Sequence, residues 1–170
     1  MDKRWIYILI ILIAGLAAMA YIVDNSTTVG SAIVPIGSFT TTLPDGYNIE
    51  ASEKDHAILI IRKTNEKIYI GELGKGNQTD KFYGEKIIEL ENNYNVTNIS
   101  YSDDVYNNIT FKSINYEKQP NNTINKASFF MKFDHTFIVE SRNYHDKDKM
   151  DYGAHFVVDT LQRDYKKSQD

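Results

Sequence analysis

An uncharged apolar run near the N-terminus limits what this chain can be. Trp5 to Val23 holds nineteen residues without a charge. As a helix the run would be about 28 Å long, close to the roughly 30 Å hydrocarbon core of a bilayer. Lys3 and Arg4 precede it and Asp24 follows it. The excess of positive charge on the N-terminal side predicts that the N-terminus is cytoplasmic and that the rest of the chain lies outside.

The same run is also compatible with a cleaved signal peptide. Ala18-Met19-Ala20 has the small-x-small pattern of a cleavage site. The run is longer than the usual apolar core of a signal peptide, which favours an uncleaved anchor. We therefore predict a cytoplasmic N-terminus at 1–4, a transmembrane anchor at 5–23, a polar tether at 24–31 and one extracytoplasmic domain at 32–170, located at the cell membrane.

Composition excludes several classes of protein. There are 19 Lys and Arg residues against 23 Asp and Glu residues, and a mildly acidic domain without a basic run is unsuited to binding nucleic acid. Cysteine is absent, which excludes disulfides, thiolate metal sites and a cysteine nucleophile. Gly74-Lys75-Gly76 lies between a predicted strand and a predicted helix but lacks the spacing of a nucleotide-binding loop. We expect no cofactor.

The rest of the chain alternates between strand and helix patterns. Pro44-Asp45-Gly46 predicts a turn between two strands. The β-branched run Ala57 to Ile61 predicts a central strand buried on both faces. Asp134-His135 predicts a two-residue hairpin turn between the last two strands, and 119–125 reads as a loop.

Two amphipathic helices are predicted by apolar residues at helical spacing. The first helix, near Lys81–Asn93, has Thr79 or Asp80 as its cap, and its stripe is Tyr83, Ile87, Leu90 and Tyr94. The second helix, near Lys149–Lys166, has the stripe Met150, Ala154, Val157, Leu161 and Tyr165. Because the strands come in hairpins, we predict an α+β fold: a mainly antiparallel sheet of about six to eight strands with two packed helices, preceded by one transmembrane helix.

The segment Phe39 to Glu50, which reads FTTTLPDGYNIE, resembles the opening of PsbP-like domains. This is the fold shared by the PsbP extrinsic protein of photosystem II and bacterial DcrB-type lipoproteins. The order of elements over roughly Ser38 to Tyr165, with a closing hairpin and a C-terminal helix, is similar as well. The resemblance implies a binding or assembly module and brings no shared catalytic residues. An N-terminal anchor in place of a lipidated cysteine departs from the DcrB pattern.

One group of residues is a candidate metal site: His145, Asp148, Asp151 and His155. Asp151 and His155 are i, i+4 neighbours on the predicted helix, so both side chains can reach one cation. An acidic helix start that complements the helix dipole is the alternative explanation for the same residues.

The glycosylation motif Asn-x-Ser/Thr occurs at Asn25 and at the candidate sites Asn77, Asn95, Asn98, Asn108 and Asn121, all in predicted loops or element ends. Glycosylation and a bias toward asparagine explain these motifs equally well.

These observations predict a membrane-anchored envelope or cell-surface module that is not an enzyme. Its partner is expected to be an envelope protein or a polysaccharide. The alternative is a metal-dependent enzyme or sensor that uses the acidic and histidine residues at the start of the C-terminal helix.

Overall fold

The structure is a computed structural model that describes residues 32–164. The anchor predicted at 5–23, the tether and Tyr165 lie outside these residues. Within 32–164 no helix is long and apolar enough to cross a membrane. The elements, in chain order, are β1 (Ile33–Ile36), β2 (Phe39–Thr42), β3 (Asn48–Ser52), β4 (His56–Ile61), β5 (Glu66–Lys75), α1 (Thr79–Glu91), β6 (Val96–Tyr106), β7 (Ile109–Lys118), β8 (Thr123–Lys132), β9 (His135–Tyr144), α2 (Lys147–Asp159) and β10 (Gln162–Arg163).

The strands form two antiparallel sheets. The large sheet has seven strands in the order β3-β4-β5-β9-β8-β7-β6, and β1, β2 and β10 form a small three-stranded sheet. Neighbours in the large sheet are consecutive in the chain except where β5 pairs with β9. The predicted α+β class, the mainly antiparallel sheet and the two packed helices are confirmed. The small sheet was not predicted.

The two helices cover opposite faces of the large sheet. On one face, α2 packs with the small sheet over a core that includes Phe137 and Val139 of β9. On the other face, Leu90 of α1 packs over Phe129 of β8 and Ile138 of β9. Because side chains alternate along a strand, β8 and β9 contribute to both cores.

The prediction that Ala57 to Ile61 is a central strand buried on both faces is wrong. β4 is the second strand from the edge of the sheet. Ala57 and Leu59 are buried under α2 and the small sheet, whereas Ile58 and Ile60 on the other face are half-buried. The reason is that α1 packs mainly on β7 and β8, and β4 lies three strands away from β8 in the sheet.

The first helix is shifted from its predicted bounds. α1 begins after Gln78, whose side chain makes no capping hydrogen bond, so neither Thr79 nor Asp80 is the cap. Tyr94 was predicted to be on the buried stripe but follows the end of the helix and is 92% exposed.

The second helix begins close to its predicted start and ends earlier. Asp146 caps α2, because its Oδ1 accepts hydrogen bonds from the N–H groups of Asp148 at 2.9 Å and Lys149 at 3.2 Å. The helix ends at Asp159. Leu161 therefore lies beyond α2, contrary to prediction, and is buried because the chain turns back to pair β10 with β2.

Two predicted turns have different outcomes. The turn at Pro44-Asp45-Gly46 is confirmed, since the Tyr47 N–H donates to the Pro44 carbonyl at 3.1 Å and Gly46 has a φ of +82°. The turn at Asp134-His135 is wrong by one residue. Phe133 and Asp134 have φ of +56° and +64°, as a type I′ turn requires, and His135 begins β9. The loop predicted at 119–125 is shorter, because β8 begins at Thr123.

Gly153 lets α2 approach the sheet closely. A Cβ at this position would lie 2.7 Å from Ile68 Cδ1 and 2.8 Å from the Tyr47 hydroxyl oxygen. The Tyr47 hydroxyl is itself hydrogen-bonded to the Tyr144 hydroxyl in the core. In α1, the corresponding position at Gly84 has no atom within 4 Å apart from the adjacent residues and the backbone of the helix itself.

These two helical glycines form a matched pair for a stability test. We predict that Gly153→Ala lowers the free energy of unfolding by about 1–3 kcal/mol, because Ile68 and Tyr47 must move within a packed core. Gly84→Ala should raise it by up to about 1 kcal/mol through helix propensity alone. Chemical denaturation of both variants measures the difference, and equal stabilities would show that α2 does not lie this close to the sheet.

Candidate functional site

α2 covers only part of its face of the large sheet. It packs most closely on β9 and β5, and it contacts β6 and β8 through side chains, since His155 stacks on Tyr106 and Asp151 pairs with Lys126. On β6, β7 and β8 polar side chains occupy positions that face α2. Ser113 of β7 is opposite Ser128 of β8, both are buried, and their hydroxyl groups form a hydrogen bond of 2.8 Å.

A groove lies between α2 and these strands. Its volume is about 370 Å³, and we call it the α2 groove. It is defined by Ser102, Asp104, Val105, Tyr106, Asn115, Lys126, Lys147, Asp151 and His155. At its base a small cavity of about 20 Å³ extends to Ser113 and Ser128. This cavity is large enough for a single water molecule.

Lys126 lies between two carboxylates in the α2 groove. Its Nζ is 3.3 Å from Asp104 Oδ2 and 3.2 Å from Asp151 Oδ1, and its side chain is only 15% exposed. Ser102 donates a hydrogen bond of 3.1 Å to Asp104 Oδ2. Burial raises the pKa of Asp104, but the charge of Lys126 and the hydrogen bond from Ser102 outweigh it and hold that pKa below its usual range.

An aromatic pair forms one wall of the groove. The rings of His155 and Tyr106 are stacked, with centroids 3.8 Å apart and planes within 4°. The Tyr106 hydroxyl donates to Asp159 Oδ2 at 2.7 Å, which ties the end of β6 to the end of α2. Burial lowers the pKa of His155 despite the opposing charge of Asp151, so the neutral imidazole is favoured.

The structure brings together two of the four predicted metal ligands. Asp151 and His155 both line the α2 groove, whereas His145 and Asp148 are exposed at the start of α2 and do not line it. Across residues 32–164, no group of three or more His, Asp or Glu side chains is arranged to hold a metal ion. Metal binding by Asp151 and His155 stays a prediction, and it would require Asp151 to give up its ion pair with Lys126.

The predicted glycosylation sites lie at the surface with one exception. Asn77, Asn108 and Asn121 are exposed, and Asn95 is half-buried. Asn98 is exposed but lies within β6 rather than in a loop, at a bulge where its φ is +52°. Its amide donates a hydrogen bond of 2.9 Å to Glu117. Occupancy of these sites stays a prediction.

Sequence reasoning missed the residues that form the floor of the groove. Asp104, Asn115 and Lys126 lie on three adjacent strands and meet only through the register of the sheet. A weak signal was present: Ser102 and Asp104, Ser113 and Asn115, and Lys126 and Ser128 are polar pairs spaced by two. Such a spacing places both members of a pair on one face of a strand.

This chain resembles known proteins in structure rather than in sequence. No family profile matches the chain, and no curated protein is significantly similar to it. Among solved structures, cyanobacterial PsbP (CyanoP) from Synechocystis sp. PCC 6803 is similar, with a TM-score of 0.48 and 9% identity, over 74% of this chain and 86% of that one. The resemblance to PsbP-like domains is therefore a modest one at the level of the fold.

The ion pairs of Lys126 give a direct test of the groove. We predict that Lys126→Met raises the pKa of Asp104, because the nearest positive charge is removed and the effect of burial remains. NMR titration of the side-chain carboxyl carbons measures this pKa. Lys112→Met is the control, since Lys112 pairs with Asp80 instead. An unchanged pKa of Asp104 in Lys126→Met would contradict the observed pairing.

Proposed function

We propose that this chain is a non-catalytic binding module, displayed outside the cytoplasm by its N-terminal segment, and that the α2 groove is its ligand site. The uncharged run Trp5 to Val23, with Lys3 and Arg4 before it, supports a location of the domain outside the cytoplasm. The groove has a size suited to a small ligand or to one or two residues of a polymer.

The pairing of Lys126 with Asp104 and Asp151 carries the proposal. An ammonium group and two carboxylates lie side by side in an open groove, and Lys147 adds a second positive charge to its lining. The charges of these four residues balance. A strongly anionic ligand would be repelled by Asp104 and Asp151, and a strongly cationic ligand would be repelled by Lys126. The groove therefore favours an uncharged ligand.

The hydrogen-bonding groups of the groove indicate the class of that ligand. A sugar hydroxyl can donate to a carboxylate and accept from an ammonium group at the same time. Ser102 and Asn115 add groups that donate as well as accept. The rings of Tyr106 and His155 supply an apolar wall. This combination suits a neutral saccharide, in agreement with a polysaccharide partner.

The same contacts favour binding over catalysis. General acid–base catalysis requires a group that can give up or accept a proton in contact with the substrate. In the α2 groove the pKa of Asp104 is lowered, and Lys126 and Asp151 are held in ion pairs. The remaining titratable ring, the imidazole of His155, is stacked on the ring of Tyr106. The alternative, a metal-dependent enzyme or sensor, is favoured by one observation, the proximity of Asp151 and His155 in the groove.

Titration of the full chain with neutral oligosaccharides, followed by NMR, tests the proposal. We expect saturable shifts at Lys126 and Asp151, and loss of binding in Asp151→Asn. Lys112→Met, which alters an ion pair outside the groove, should bind as the unaltered chain does. The absence of saturable shifts, or equal binding by Asp151→Asn, would overturn the proposal.

A parallel titration with divalent cations tests the alternative. Stabilisation of the full chain by a cation at modest excess, abolished by Asp151→Ala and by His155→Ala, would favour the metal-dependent function. No change in melting temperature would support the binding module.

A further inference from the structure

A second polar cavity lies on the opposite face of the large sheet. It has a volume of about 350 Å³ and opens between the second half of α1 and the strands β5 to β9. We call it the α1 cleft. It is lined by Asn65, Lys67, Lys86, Glu89, Leu90, Asn93, Val96, Tyr116, Lys118, Asn125, Glu140, Arg142 and Asn143.

A buried carboxylate forms the base of the α1 cleft. Glu140 is 2% exposed and accepts a hydrogen bond of 2.6 Å from the Tyr116 hydroxyl. Arg142 Nη2 donates to the other carboxylate oxygen, Oε2, and Lys86 Nζ lies 3.4 Å from Oε1, the oxygen that accepts from Tyr116. Burial raises the pKa of Glu140, but Arg142 and Lys86 outweigh it, so that the pKa is below its usual range and the carboxylate stays ionised. Glu140 therefore holds the positively charged side chains of Arg142 and Lys86 at the base of the cleft.

Hydrogen-bond donors remain free above this base. Within the described residues, Arg142 makes one hydrogen bond, from Nη2, although a guanidinium carries five N–H groups. The Arg142 side chain is 40% exposed, and its guanidinium lies over the ring of Tyr69 at 5.5 Å, which restrains its plane. Lys118 is exposed at the rim and makes no ion pair with any residue of 32–164.

The lining of the α1 cleft carries a net positive charge, although the chain as a whole is acidic. Lys67, Lys86, Lys118 and Arg142 line it against two carboxylates, Glu89 and Glu140. A third carboxylate, Glu50, pairs with Lys67 at 2.7 Å from outside the lining. One positive charge is left uncompensated, whereas the whole chain carries a net charge of −4. The amide side chains Asn65, Asn93 and Asn143 add uncharged polar groups to the walls.

From these contacts we infer that the α1 cleft binds an anionic group, a carboxylate or a phosphate ester, through Arg142 and Lys118. A guanidinium with free N–H groups matches the geometry of either oxyanion, and Lys118 supplies the unpaired charge. The cleft is a different site from the α2 groove and takes a ligand of different charge, so this inference is independent of the proposed function.

Titration with two small anions tests the inference and distinguishes a phosphate ester from a carboxylate as the bound group. The full chain is titrated at constant ionic strength with glycerol 3-phosphate and, separately, with D-glucuronate, and binding is followed by NMR. We expect saturable shifts at Arg142 and Lys118 with at least one of the two. Binding of the first alone identifies a phosphate ester, and binding of the second alone identifies a carboxylate.

Variants locate the binding. Lys118→Gln, an exposed change that should leave the fold intact, is expected to weaken the affinity for the anion about tenfold, through loss of one charge-assisted contact. Two variants serve as controls. Lys112→Gln removes a lysine of the same strand that pairs with Asp80, outside the cleft. Lys126→Met removes a lysine of the α2 groove. Both should bind the anion as the unaltered chain does. Binding of neither anion, or an equal loss of affinity in Lys118→Gln and Lys112→Gln, would overturn the inference.

Discussion

Burial of β8 and β9 on both faces is the constraint on which the remaining structure depends. Along β9, Phe137 and Val139 face α2 while Ile138 and Glu140 face α1. A polar group at a fully covered position of such a strand has no access to bulk water, so it must find its partner within the protein. Burying an ionised carboxylate costs several kcal/mol, and Glu140 offsets this cost with Tyr116, Arg142 and Lys86. Each polar cavity therefore forms where a helix stops covering a polar stretch of the sheet.

Local features of the fold could be predicted from the sequence, and long-range ones could not. The two helices and the turn at Pro44-Asp45-Gly46 depend on spacing and turn chemistry within a few residues. The pairing of β5 with β9 joins strands separated by a helix and three strands. No local pattern in the sequence encodes that pairing. For this reason the prediction places the run Ala57 to Ile61 at the centre of the sheet, where the structure has β9.

The candidate sites show the same division. Asp151 and His155 lie one turn apart on a helix, so their proximity follows from helical geometry, and it was predicted. Lys126 meets Asp104 across the intervening strand β7, and Glu140 meets Lys86 of α1. These contacts depend on sheet order and on which face each helix covers, so residue spacing could not predict them. Both polar cavities were missed for this reason.

The central physical claim is that Glu140 is an ionised, paired carboxylate beneath α1. The most direct measurement is the free energy of unfolding of the unaltered chain and of Glu140→Gln as a function of pH. The pKa of Glu140 is lower in the folded state than in the unfolded state. The contribution of Glu140 to the free energy of unfolding is therefore fully present above the usual glutamate pKa of about 4.3 and is lost as the pH falls through the folded-state pKa. The account predicts that Glu140→Gln is less stable at pH 7 and that the gap closes on acidification through this window. A gap independent of pH, or a variant more stable at pH 7, would contradict it.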